Sequence, residues 1–301
     1  MSSIAKFLKL HTGAKIPQMG LGTLTSGQKQ VFTQAVIENG FRHVDTAAYH
    51  KNENILGNAF DEIHQNGIKR EDLFLTTKVW QSDYEDPVKA LQGSLKKLNQ
   101  DHVDLYYVHW PFNVVDPTTK VFKKIPMYKV WEKMEQCVEK GLAKHIGVCN
   151  FNVQSLVDML SYAKIKPACC QVELHPHMPQ HELVQFLKTN DIVPVAHSPL
   201  SAPNRGKMFK ECGTIFEDPT MIGIAEKHGK TVAQISLAWN MARGVVVIPK
   251  TQKIKRFEEN FSAQQIELDK EDIEKINSIE KRVRVYNPIN WPHMNNIPIF
   301  N

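Results

Sequence analysis

Three side chains that can hold a charge or move a proton close three short apolar runs: Asp45 after residues 41–44, Lys78 after 73–77 and His109 after 103–108. They stand 33 and 31 residues apart, each interval about one strand-plus-helix unit of roughly 30 residues. A carboxylate beside an ammonium keeps the ammonium charged. An imidazole next to both can orient, or donate to, an oxygen that gains negative charge. Taken singly the three are ordinary, since aspartates cap helices, lysines sit at surfaces and histidines satisfy themselves in cores. Their shared register makes them a candidate site. A metal-dependent hydrolase built on His109, His175 and His177 is the weaker alternative, because Pro176 between the last two makes an awkward chelate. No metal is expected.

For these side chains to meet, several strand ends must open on one mouth. Eight candidate strands lie at 18–22, 41–44, 73–77, 103–108, 146–149, 168–172, 192–196 and 245–248. Helical spacing of apolar residues separates them at 30–39, 53–65, 86–98, 127–140, 153–162, 181–189, and 221–227 with 232–241. Continuous apolar runs suit parallel strands covered on both faces. The alternation predicts an α/β fold, a (β/α)8 TIM barrel with residues 1–301 as one domain. Residues 7–17 read as an N-terminal β-hairpin over the barrel floor. Long loops at 110–124, 200–218 and 283–301 read as lids and specificity loops of the C-terminal face. Gly20-Leu21-Gly22 suggests an open dinucleotide-binding sheet instead, but the third glycine is missing, so the pair reads as a tight turn after the first strand.

Composition agrees with a globular protein: 42% of residues are hydrophobic and 23% charged, enough apolar material for a large core. The net charge of +5 is spread along the chain, which gives no basic arm for nucleic acid. Five cysteines without a CxxC pair argue against a disulfide framework and for a reducing compartment. No apolar run approaches the ~20 residues of a membrane helix. A cytoplasmic protein is expected, acting on a small molecule, with neither membrane nor nucleic acid as partner.

The ordered motifs carry a resemblance across nearly the whole chain. They are Gly13-Ala14-Lys15-Ile16-Pro17, Gly20-Leu21-Gly22-Thr23, Asp45-Thr46-Ala47 with Asn52-Glu53, Thr77-Lys78-Val79-Trp80 and Asp104-Leu105-Tyr106 with His109-Trp110-Pro111. Further on come Ile146-Gly147-Val148 with Asn150-Phe151-Asn152, Gln171-Val172-Glu173 with His175-Pro176, Ser198-Pro199-Leu200 and Ile248-Pro249-Lys250-Thr251. In these the chain resembles the aldo-keto reductases, in their aldose reductase-like branch.

That resemblance implies NADPH-dependent reduction of aldehydes or ketones to alcohols by a monomer with an Asp, Tyr, Lys and His tetrad. Asp45, Lys78 and His109 match three members. At the tyrosine position, counted back without a gap from Asn52-Glu53, stands His50; a compensating gap would bring Tyr49 there instead. The resemblance also implies cofactor contacts at Thr23, Leu24, Asp45, Cys149, Asn150, Gln171, His197, Ser198 and Leu200. His197 replaces a stacking tyrosine, Cys149 a serine and Cys170 an amide-contacting asparagine. Lys250, Thr251 and Arg256 match positions for an adenosine 2′-phosphate, with Glu259 and Asn260 near the adenine. Leu24, Tyr49, Trp80, Trp110 and Trp291 would contact the substrate, and Phe300 is a further candidate from the tail. A neutral imidazole surrenders a proton poorly, so an NADPH-binding redox sensor or partner-binding protein with little turnover is the alternative function.

Overall fold

The computed structural model describes residues 5–24, 27–114, 123–201, 213–291, 294 and 296–300. Strands β1 (Phe7–Lys9) and β2 (Lys15–Pro17) pair antiparallel as the expected hairpin. Eight parallel strands follow, paired in sequence order: β3 (Leu21–Gly22), β4 (His43–Asp45), β5 (Phe74–Val79), β6 (Val103–Val108), β7 (Ala143–Cys149), β8 (Cys169–Glu173), β9 (Val193–His197) and β10 (Val246–Val247). An open sheet of this kind would leave a row of unpaired backbone groups at each edge. Here the edges meet. Gly20 N donates to Val247 O at 2.8 Å, Val247 N to Gln18 O at 2.9 Å and Gly22 N to Pro249 O at 3.0 Å, so the sheet closes into a barrel.

The glycines of the first strand serve this seam rather than the tight turn that the sequence suggested. A Cβ on Gly22 would lie 2.7 Å from Ile248 O, closer than a side chain can approach a carbonyl.

The covering helices start where local chemistry allows it. In α1 (Lys29–Ile37) and α2 (Glu53–Gln65) one face is buried. For α3 (Pro87–Leu98), Asp86 accepts from Lys89 N at 3.1 Å and Pro87 occupies the first turn. After α4 (Met127–Glu139), Asn152 caps α5 (Val153–Tyr162) through Ser155 N at 2.9 Å, and α6 (His181–Thr189) follows. Helix α7 (Pro219–His228) begins two residues earlier than expected because Asp218 caps Thr220 N and Met221 N ahead of Pro219. Thr231 and Gln234 form a capping box for α8 (Val232–Ala242). Helices α9 (Lys255–Ser262) and α10 (Lys270–Asn277) bury two residues each, too few for apolar periodicity to announce them.

Strand parity decides which side chains enter the barrel. Phe74, Leu105, Cys169, Val193 and Val246 form the inner cluster, plugged below by Leu10 and Ile16 of the hairpin. Lys78, His109, Gln171, His197 and Lys250 lie two or four residues further along the same strands or just beyond them. The polar layer is therefore stacked on the apolar one, at the C-terminal mouth. Cys170 has the opposite parity and packs in the outer cluster with Val148 and Val172. The cofactor contact expected of it is thereby corrected.

Candidate active site

A cavity of about 470 Å³ opens at the C-terminal mouth. Its walls carry Asp45, His50, Lys78 and His109 from the expected tetrad, and Thr23, Leu24, Cys149, Asn150, Gln171, His197, Ser198, Leu200, Lys250 and Arg256 from the expected cofactor contacts. A wider groove of about 610 Å³ lies between α7 and α10, lined by no strand residue. Its Lys227 already pairs with Asp269 and Asp272.

Asp45 is the hub. Its Oδ1 accepts from Lys78 Nζ at 2.5 Å, and its Oδ2 from Thr76 Oγ1 at 2.6 Å and Gln171 Nε2 at 2.9 Å. Burial opposes ionisation, but the Lys78 ammonium and the Thr76 hydroxyl outweigh it and hold the carboxyl below its ordinary range. Lys78 also donates to Thr46 O at 2.8 Å. Two of its three N–H groups are thus committed, and one is left for the cavity.

The short 3₁₀ turn Ala48–His50 sorts Tyr49 from His50. Three residues per turn separate neighbouring side chains by about 120°. His50 lines the cavity, whereas Tyr49 is 41% exposed and stacks on Trp80 with centroids 4.1 Å apart. Burial above all, with Lys78 adding to it, pushes His50 down to about 3. Burial likewise takes His197 down to about 4 and, helped by Lys78 and the two neighbouring imidazoles, His109 well below its ordinary value. At neutral pH all three rings are uncharged.

The amide side chains form a second group. Asn150 Nδ2 donates to His109 O at 2.9 Å, which turns its Oδ1 toward His197 Nε2 at 3.1 Å. Asn150 and Ser198 follow β7 and β9 in left-handed backbone, φ +64° and +49°, where a non-glycine residue persists only when its surroundings fix it. Cys149 Sγ lies 3.9 Å from Gln171 Oε1.

At the far end, Lys250 and Arg256 line the cavity where β10 runs toward α9. Lys250, Lys253, Lys255 and Arg256 form no ion pair among the described residues. Cations at a helix N-terminus oppose its dipole unless an anion joins them.

Several expected residues stand back from the cavity. Thr251 Oγ1 accepts from Lys253 N at 3.0 Å and shapes the turn before α9; Glu259 accepts from Thr231 at 2.8 Å; Asn260 is buried. Trp80 packs edge-on against His109 at 5.0 Å. Trp110 does line the cavity, its backbone held by the Tyr84 hydroxyl at 2.6 and 3.1 Å. Trp291 and Phe300 pack on Trp110 at 5.8 and 6.3 Å without lining it. His175 and His177 turn to Glu173 and Asp218 at 2.8 and 2.9 Å, so with His109 they do not converge on one point.

Phe216 and Tyr286 line the cavity without having been expected. Tyr286 arrives through a clasp. The buried Glu173 carboxylate accepts from Val285 N at 2.7 Å, Tyr286 N at 2.7 Å and His175 Nε2 at 2.8 Å. Val283 N donates to His177 O at 2.8 Å. This strap places the Tyr286 ring 5.1 Å from that of His197. The only sequence signal was Glu173 itself, a carboxylate closing an apolar run.

Residues 18–281 match the sequence pattern of the Aldo/keto reductase family. Aldose reductase C of Dictyostelium discoideum is 38% identical, over 94% of this chain and 92% of its own length. A glycerol 2-dehydrogenase (NADP(+)) of Hypocrea jecorina is 37% identical over 92% of each chain. A crystal structure of an aldo-keto reductase complexed with NADPH superposes with a TM-score of 0.89 at 33% identity, over 98% of this chain and 94% of that one.

Proposed function

The chain belongs to the aldo/keto reductase family, and from that premise we propose that it reduces aldehydes or ketones to alcohols with NADPH. The observation that carries this reading is one cavity with a charged Asp45–Lys78 pair and two imidazoles at one end and uncompensated cations at the other.

The residues fit the cofactor. Gln171 Oε1 keeps acceptor capacity toward a carboxamide, Asn150 and Cys149 flank it, and the His197 ring offers a face to stack on. Lys250 and Arg256 suit a 2′-phosphate, favouring NADPH over NADH. The NADPH held by the similar solved structure supports the same choice. When bound, the cofactor supplies the hydride that a carbonyl carbon accepts.

The chain's own task is the oxygen. Lys78 directs its remaining N–H at it, and Asp45 and the Thr46 carbonyl hold that ammonium in place. His109 adds a second donor. Its Nδ1 is buried in the protein without a partner, so any proton it offers the cavity is carried on Nε2. His50 stands where the family's proton donor is expected, but a ring held near 3 is uncharged and gives up a proton poorly. Proton delivery then falls to water or His109, and turnover is slow with ordinary aldehydes.

The same neutral ring favours one second reading, an NADPH-binding sensor with little turnover. Residues 1–301 act as one domain in either case. We read the chain as a monomer, as the family resemblance implies, and four buried free thiols among the described residues suit a reducing cytosol.

Single-turnover oxidation of bound NADPH by a reactive aldehyde tests the proposal. One equivalent should be consumed, and Lys78→Met should abolish it. Tight NADPH binding with no oxidation would replace the reductase by the sensor.

A further inference from the structure

The hydrogen bonds around His50 fix which of its nitrogens carries the proton. Thr23 Oγ1 lies 2.9 Å from Asp45 O and 3.3 Å from His50 Nδ1. A threonine has one hydroxyl proton. The carbonyl oxygen of Asp45 can only accept, so the shorter contact takes that proton and leaves an oxygen lone pair facing His50. For the second contact to be a hydrogen bond, Nδ1 must be the donor. A neutral imidazole then has a bare lone pair on Nε2, and Nε2 has no protein partner among the described residues.

The ring opposite can present the complementary group: His109 Nδ1 is buried without a partner, so the donor it can offer the cavity is an Nε2–H. The two ring centroids are 6.4 Å apart, a spacing across which one oxygen can reach a nitrogen of each ring. An alcohol hydroxyl placed there accepts from His109 and donates to His50. A carbonyl oxygen can accept from His109 and Lys78 but has no proton to give His50, whose bare lone pair is then left facing an electron-rich oxygen.

We propose that Thr23 acts as a positioning residue that sets His50 in its Nδ1–H form, and that His50 is the acceptor by which this site holds the hydroxyl of a primary or secondary alcohol in preference to the matching carbonyl. This deepens the reductase reading and rests on it for the ligand class. The chemistry of the alcohol is the same whether it is a retained product or a substrate of the reverse reaction.

Two measurements test it. Nitrogen NMR of histidine-labelled full-length protein, with His50 assigned by its loss in His50→Leu, should show Nδ1–H and unprotonated Nε2. Thr23→Val should shift the resonances toward the other tautomer. This readout needs no turnover, so it separates failure of the tautomer assignment from failure of the reductase reading. In the second, the inhibition constant of an alcohol is divided by the KM of its aldehyde. His50→Leu should raise that ratio about 5-fold or more, the effect of losing one neutral hydrogen bond. His50→Gln, whose amide oxygen still accepts, should keep the ratio near that of the native chain. An Nε2–H signal for native His50, or an unchanged ratio in His50→Leu, overturns the proposal. Should Thr23→Val not fold, the native spectrum and the two His50 variants decide the matter alone.

Discussion

The imidazoles of His50 and His109 face each other nearly edge to face, 75° between planes and 6.4 Å between centroids. Both are uncharged and both lie under the field of one buried ammonium, Lys78. A site that must give an oxygen a proton thus faces it with one weak donor, the neutral His109 ring, and one acceptor, the bare Nε2 of His50.

Replacing His50 by tyrosine tests the consequence. His50→Tyr should raise steady-state reduction of an ordinary aldehyde by about 10-fold or more, a threshold set below the roughly 100-fold at which general acid contributions usually begin. Activated carbonyls should gain less. Tyr49→Phe should change little, since that ring stacks on Trp80 outside the cavity. Loss of turnover in Tyr49→Phe with no gain in His50→Tyr would return the acid role to Tyr49.

The cation cluster makes a prediction about cofactor choice. Arg256→Ala should weaken NADPH binding by roughly 1.5–3 kcal/mol, the range for a hydrogen bond to a charged group, and leave NADH binding almost unchanged. Fluorescence titration of both cofactors checks this. Equal losses for the two would remove the 2′-phosphate from Arg256.

Buried neutral histidines make the fold acid-sensitive. Burial lowers His43 and His197 to about 4, His50 to about 3 and His109 well below 6.5. Each ring takes up a proton on unfolding at a pH where the folded chain does not. The stability it contributes is complete above its ordinary value of 6.5 and is lost as pH falls toward the folded value. Each proton adds about 1.4 kcal/mol per pH unit to the slope. Urea unfolding between about pH 7 and pH 4.5 should therefore show falling stability, and His50→Gln should reduce the slope by about one proton. A flat profile would mean these rings are charged when folded.

The Glu173 clasp should be visible in hydrogen exchange. Glu173→Gln sets an amide donor against a backbone N–H and loses one acceptor. Exchange at Val285 and Tyr286 should accelerate about 10-fold or more, while amides within β5 and β6 keep their protection. Uniform acceleration would indicate that Glu173 supports the barrel as a whole.

Burial raises the thiol pKa of Cys137, Cys149, Cys169 and Cys170, the first and third to about 12. These four should resist thiol reagents in the native protein. After denaturation without reductant the titration should reach five, including Cys212, which lies outside the described residues. A count of three or fewer would place a disulfide in the chain.

The sequence by itself determined the barrel, because repeated apolar runs and helical spacing are local consequences of burial on a strand or helix. Residues 103–108 and 153–162 could be bounded to the residue in this way. It also located Asp45, Lys78 and His109, since strand ends meet at one mouth in any closed barrel. What only the tertiary structure decided depends on direction and on distant contacts. Parity turned Cys170 outward, although it neighbours Gln171. A 3₁₀ turn sent His50 inward and Tyr49 out. The tail has no periodicity of its own, and a carboxylate 113 residues away in the chain fixes Tyr286 at the cavity wall. The His50 proton rests on a hydroxyl 27 residues away. Composition and spacing record which groups a chain can bury; which hydrogen bonds those groups then share is settled only when the strands that carry them come together.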